Sequence, residues 1–165
     1  MPDYLKKSFF INSFIITIIF SLDRISKFYI ILKSETNLSS SLYTSKFLNI
    51  NLIWNEGIAF GLFSFNENYL YNLLTILIVI VIFIILIMII KSEGFKRYAL
   101  SMIFGGAVGN LYDRIFYSAV PDFIDFHIKD FHWFIFNVAD IFITIGVIIM
   151  ILSEFRGNKL KNEAL

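Results

Sequence analysis

Between residues 69 and 90 the chain carries no charged side chain, and from Ile76 onward it is almost solid Ile, Leu and Val. A hydrocarbon core of roughly 30 Å takes about 20 mostly apolar residues in a helix, so this run reads as a membrane span. Three further stretches follow the same logic: residues 9–32, 97–117 and 133–153. The last is interrupted only by Asn137 and Asp140, whereas the first carries Asp23, Arg24 and Lys27 in its distal half. An all-α membrane protein built on a bundle of four transmembrane helices is expected. Composition agrees: 58% of residues are hydrophobic and 16% charged, with a mean hydropathy of +0.75. A soluble domain has roughly 45–50% and about 25%. The net charge of +1 offers no basic surface to a nucleic-acid backbone. The absence of cysteine excludes disulfides, thiolate metal sites and a thiol nucleophile.

Lys6 and Lys7 before the first apolar run resemble the start of a signal peptide. No small-residue cleavage site follows, and the helical pattern continues to Lys27, so the segment is expected to be retained. Basic residues near the span ends set the orientation. Lys6, Lys7, Lys91, Lys96, Arg97, Arg156, Lys159 and Lys161 fall on one side, against Lys33, Lys46 and Lys129 on the other. Both termini are expected in the cytoplasm, with loops 33–68 and 118–132 outside. Residues 39–54 alternate in a way that suggests short strands. Residues 58–65 (IAFGLFSF) suit a helix lying in the interface plane. The tail after Glu154 is polar and reads as frayed.

An ionisable group inside a span costs at least about 2.5–3.5 kcal/mol, so each one raises a functional question. Asp23 is placed about eight residues, roughly 12 Å, before the outer end of the first span. Asp140 is placed about seven residues, roughly 10 Å, into the fourth, and Asn110 sits at a similar level in the third. Asp23 and Lys27, Asn110 and Arg114, and Asn137 and Asp140 form i, i+3 or i, i+4 pairs. Gly105 and Gly109 make a GxxxG that permits close helix approach. These features describe a polar pocket open to the outside. Plainer readings stand beside it: an intrahelical Asp23–Lys27 pair, Arg114 snorkelling or paired with Asp113, the asparagines as interhelical glue, and Trp54 and Trp133 as interfacial aromatics. Asp140 is the hardest to explain in that way, because no cation lies within one turn. His127 and His132 read as loop residues, without HExxH or any other ligand spacing.

No GxSxG or phosphate-binding loop is present. Carboxylates remain: Asp140 with Asp122 or Asp125. Two carboxyl groups sharing a site cannot both ionise cheaply, which suits aspartic proteolysis. Other classes remain open at this point: an ion-coupled transporter using Asp23, Asp140 and Arg114, an assembly subunit, and a presenilin-like protease that would lack its GxGD.

These residues resemble the bacterial lipoprotein signal peptidase (signal peptidase II) family over nearly the whole chain. The family's D-x-x-x-K matches Asp23–Lys27, and its N-x-G-x-A-F matches Asn55, Gly57, Ala59 and Phe60. Its G-N-x-x-D-R matches Gly109, Asn110, Asp113 and Arg114. Its V-x-D-F matches Val120, Asp122 and Phe123, and its F-N-x-A-D matches Phe136, Asn137, Ala139 and Asp140. The resemblance implies a single integral membrane peptidase domain over 1–165, with a small extracytoplasmic β-cradle and an interfacial helix. It implies Asp122 and Asp140 as catalytic residues. Asp23, Lys27, Asn55, Gly57, Asn110, Arg114 and Asn137 would then support them or bind substrate. Asp125 also lies in an I-D-F context, but the interval from Arg114 fits Asp122. Pro121 departs from the family's usual Val, fixing its own φ and removing one backbone donor. The implied substrate is a prolipoprotein with a diacylglyceryl-modified cysteine, cut amino-terminal to that cysteine in the bacterial cytoplasmic (inner) membrane. No metal or organic cofactor and no nucleic acid are implied, and a monomer is expected.

Overall fold

The computed structural model describes residues 3–36, 41–57 and 68–163. The elements in chain order are α1 (Asp3–Thr36), β1 (Tyr43–Thr44), β2 (Leu48–Asn55), α2 (Asn68–Lys91), α3 (Gly94–Tyr117), β3 (Val120–Ile128), β4 (Phe131–Phe136) and α4 (Val138–Glu163). The expected strands within 39–54 are found as β1 and β2, whereas residues 58–65 lie outside the described residues. Helix α4 runs on through the tail to Glu163 instead of fraying after Glu154.

α3 is the central helix and packs against α1, α2 and α4. Its glycines set those distances. A Cβ on Gly109 would stand 2.6 Å from Asp23 Oδ2 of α1, and one on Gly106 would stand 2.6 Å from the Ala139 carbonyl oxygen of α4. The expected close approach at Gly105 and Gly109 is therefore to α1, and a neighbouring stripe at Gly106 serves α4. The pattern of exposure is the reverse of a water-soluble bundle. Phe9, Phe14, Ile25 and Phe28 of α1 and Ile76, Leu77 and Phe83 of α2 are all exposed. Asp23 and Asp113 are 0% exposed and Lys27 1%. Stretches Tyr71–Lys91 and Val138–Phe155 are long and apolar enough to cross a membrane. α1 and α3, of 34 and 24 residues, have the length but carry the buried charges.

The strands form one antiparallel sheet in the order β1-β2-β3-β4. β3 leaves α3 through Ser118, whose left-handed backbone (φ 56) ends the helix. Pro121 sits inside β3 opposite Trp54, and the ladder to β4 begins only at Ile124. The missing proline N–H thus falls where no β4 partner is waiting.

The start of the fourth span is corrected. Trp133–Phe136 belongs to β4, and α4 begins at Val138. A short apolar run is compatible with strand or helix, and here the aromatic HWFIF pairs with β3. Asp140 is consequently the third residue of α4, in its first turn, and not about seven residues deep. His127 and His132 are corrected too: they lie in β3 and β4 as direct cross-strand partners.

Candidate active site

Asn137 determines where α4 starts. Its side-chain Oδ1 accepts from the Asp140 N–H at 3.2 Å, while its own backbone N–H donates to Asp140 Oδ2 at 3.1 Å. This reciprocal pair is a capping box, which satisfies two helix-end donors at once. The i, i+3 spacing read as a shared helix face is in fact this cap. The Asn137 side-chain amide is then free to point at β3, where Nδ2 donates to Asp122 Oδ1 at 2.6 Å. One residue therefore holds both carboxylates.

The remaining acceptors of the two groups are also engaged. Asn55, the last residue of β2, donates from Nδ2 to Asp122 Oδ2 at 2.8 Å. Its Oδ1 accepts the Gly57 N–H at 2.9 Å, and the Gly57 carbonyl accepts from Arg114 Nη2 at 2.9 Å. From α3, Asn110 Nδ2 donates to Asp140 Oδ1 at 2.9 Å, and Asn110 Oδ1 accepts from Lys27 Nζ at 2.8 Å. Asp122 is 3% exposed, and its carboxyl is pushed up from 3.8 to about 6, first by burial and then by the neighbouring Asp140 charge. A cleft opens beside Asp140, walled by Leu74, Leu77, Ala107, Ile143 and Val147 and edged by Asn110 and Arg114.

Behind this pair lies a second group of charges. Arg24 grips Asp113 with two hydrogen bonds of 2.5 and 2.8 Å and reaches Asp23 at 2.6 Å. Lys27 Nζ adds contacts of 2.6 Å to Asp113 and 2.9 Å to Asp23. Asp23 also accepts the Ala139 N–H of the α4 amino terminus at 3.1 Å, where the helix dipole favours a negative group. The plainer reading that pairs Arg114 with Asp113 is not what forms: Asp113 is taken by α1, and Arg114 turns to the Gly57 carbonyl. Arg24 and Asp113 stood outside the expected set of site residues. The signal was available in the repeated Asp-Arg steps at 23–24 and 113–114, on two helices that the glycines bring together.

Asp122 and Asp125 are three residues apart on a regular strand and so face opposite sides of the sheet. Asp125 finds His132 Nδ1 at 2.9 Å and the Asn49 amide at 3.3 Å. Every expected site residue thus falls into one network around Asp122 and Asp140, and Asp125 pairs instead with Asn49 and His132.

A family model described as Signal peptidase (SPase) II matches residues 15–156. The lipoprotein signal peptidase of Pelagibacter ubique (strain HTCC1062) is 53% identical over 158 residues, covering 95% of each chain. That of Anaplasma phagocytophilum (strain HZ) is 39% identical, over 88% of this chain and 92% of its own. A solved structure described as a bacterial membrane enzyme superposes with a TM-score of 0.72 at 31% identity, covering 91% of this chain and 90% of the other.

Proposed function

The chain belongs to the signal peptidase II family, and from that premise we propose an aspartic endopeptidase acting within the membrane, with Asp122 and Asp140 as its catalytic pair. Its substrates are diacylglyceryl-modified prolipoproteins, cut amino-terminal to the lipidated cysteine to release the signal peptide. The observation that carries this reading is the double hold of Asn137, whose side chain bonds Asp122 and whose backbone bonds Asp140.

The chemistry follows from one proton held between two carboxyl groups. The ionised member takes a proton from water as the water oxygen adds to the scissile carbonyl carbon. The protonated member gives its proton to the carbonyl oxygen. When the tetrahedral intermediate collapses, the C–N bond breaks, the first carboxyl protonates the departing cysteine nitrogen, and the second recovers its proton. Asn110, Asn55 and Asn137 hold the carboxyls, and Arg114 holds the backbone at Gly57 beside them. The apolar cleft next to Asp140 receives the lipid-modified segment.

All four helices cross the bacterial cytoplasmic (inner) membrane in this proposal, with both termini in the cytoplasm and the sheet outside. Support comes from the exposed apolar side chains around α1 and α2, the inward-turned charges, and the Lys and Arg bias. The deciding assay gives purified protein a prolipoprotein with and without its diacylglyceryl group. Cleavage of the lipidated form alone is expected, and failure to cut it would remove the proposal.

A further inference from the structure

On the sheet face opposite Asp122, three side chains converge that the peptidase reading does not use. Asp125 and His127 are i, i+2 on β3 and so share a face, and His132 of β4 is the direct cross-strand partner of His127. The two imidazoles stack 5.0 Å apart at 19° between planes. His132 Nδ1 lies 2.9 Å from both Asp125 oxygens, and one ligand atom from each residue falls within 4.8 Å of the others. An Asp–His pair alone leaves His127 unexplained. Its Nδ1 is buried and has no hydrogen-bond partner among the described residues. Asp125, 3% exposed, has its charge met by a neutral amide and one imidazole.

We propose that Asp125, His127 and His132 form a divalent transition-metal site of the zinc class. Two imidazole nitrogens and one carboxylate oxygen are the donors that such ions prefer, and a fourth position is left for water. Bonds of about 2.0–2.2 Å require tetrahedral ligand atoms about 3.3 Å apart, so small side-chain rotations within the present 4.8 Å suffice. His132, half exposed, opens the site to solvent. The ion would pin β3 to β4 three residues beyond Asp122, giving the outer sheet a clamp separate from the catalytic chemistry.

The test uses full-length protein without a polyhistidine tag, stripped with a chelator and titrated with Co²⁺ and then Zn²⁺. One Co²⁺ per chain with the visible absorption of a four-coordinate site is expected, displaced by Zn²⁺. His127→Gln is the decisive variant, since its ring nitrogen gives up no hydrogen bond. It should weaken binding by more than about 100-fold, beyond the 10–100-fold typical of outer-shell partners. His132→Gln and Asp125→Asn should do the same. Absence of stoichiometric Co²⁺ absorption in folded protein overturns the site, and so does binding that His127→Gln leaves unchanged.

Discussion

Two groups of buried carboxylates meet at the junction of α1, α3, α4 and the sheet, under opposite electrostatic conditions. Asp23 and Asp113 face two cations, Arg24 and Lys27, at hydrogen-bond distance. Asp122 and Asp140 accept hydrogen bonds from asparagine amides and a backbone N–H, and no ion pair joins either to a cation among the described residues. The first arrangement balances charge and fixes helices. The second satisfies geometry without a cation, and the Asp122 carboxyl is accordingly pushed up, first by burial and then by the neighbouring Asp140 charge. Lys27 and Asn110 connect the two, so the balanced group also positions Asp140.

The largest effect separates the groups by activity. Asp122→Asn and Asp140→Asn keep size and polarity but cannot share a proton, so each should lower kcat/KM by more than about 10³-fold while the folded yield is kept. The double variant should be hardly worse than either single one, and the wild-type profile of kcat/KM against pH should be bell-shaped. Asp125→Asn, on the other face, should cut lipidated prolipoprotein at close to the wild-type rate. Substantial cleavage by a folded Asp122→Asn protein would falsify the pair.

The contrast between these groups was only half legible in the sequence. The uncharged run at 69–90 and the family motifs led to α2 and to Asp122 and Asp140 as expected positions. What hid the rest was tertiary pairing. Residues 133–136 suit helix and strand equally, and only the neighbouring β3 decides between them. The same ambiguity put Asp140 about seven residues into the fourth span, whereas its cap partner Asn137 places it in the first turn. Arg24 stands next to Asp23 in sequence, but its two-toothed grip is on Asp113, 89 residues away. Periodicity along one helix cannot name a partner on another. His127 had a legible signal, the apolar–polar alternation through residues 124–128, which was masked by the shortness of the loop assigned there.

The second prediction strikes the balanced group. Asp113→Asn leaves Arg24 and Lys27 facing one carboxylate, and breaking a buried pair in this way costs about 3–5 kcal/mol. Thermal unfolding in detergent should show a large fall in Tm, in contrast to the retained fold of the Asp140→Asn variant. Adding Lys27→Met removes one charge of each sign and should recover part of the loss. If Asp113→Asn is as stable as wild type, the cluster does not hold α1 to α3 and the comparison fails on that side.

The smallest effect concerns the stability cost of the other group, and its sign is opposite. The Asp122 carboxyl has a folded value of about 6 against an ordinary 3.8. Below pH ~4 it is protonated in both folded and unfolded chains and contributes nothing. As pH rises toward 6 the folded chain keeps a proton that the unfolded chain has lost, so stability falls across that window. Above it the penalty is complete, about 3 kcal/mol at 1.36 kcal/mol per pH unit. Asn at 122 has no such penalty but loses one acceptor facing Asn55 or Asn137, at about 1 kcal/mol. Asp122→Asn should therefore be about 1 kcal/mol less stable than wild type at pH 4 and about 2 kcal/mol more stable at pH 8. Paired unfolding curves would show the two proteins crossing between these values. In Asp140→Asn the neighbouring charge is gone but burial, the larger cause, remains, so the wild-type decline should shrink without vanishing. An Asp122→Asn protein that is less stable than wild type at pH 8 would mean that this carboxylate is as well compensated as Asp113, and the distinction between the two groups would be lost.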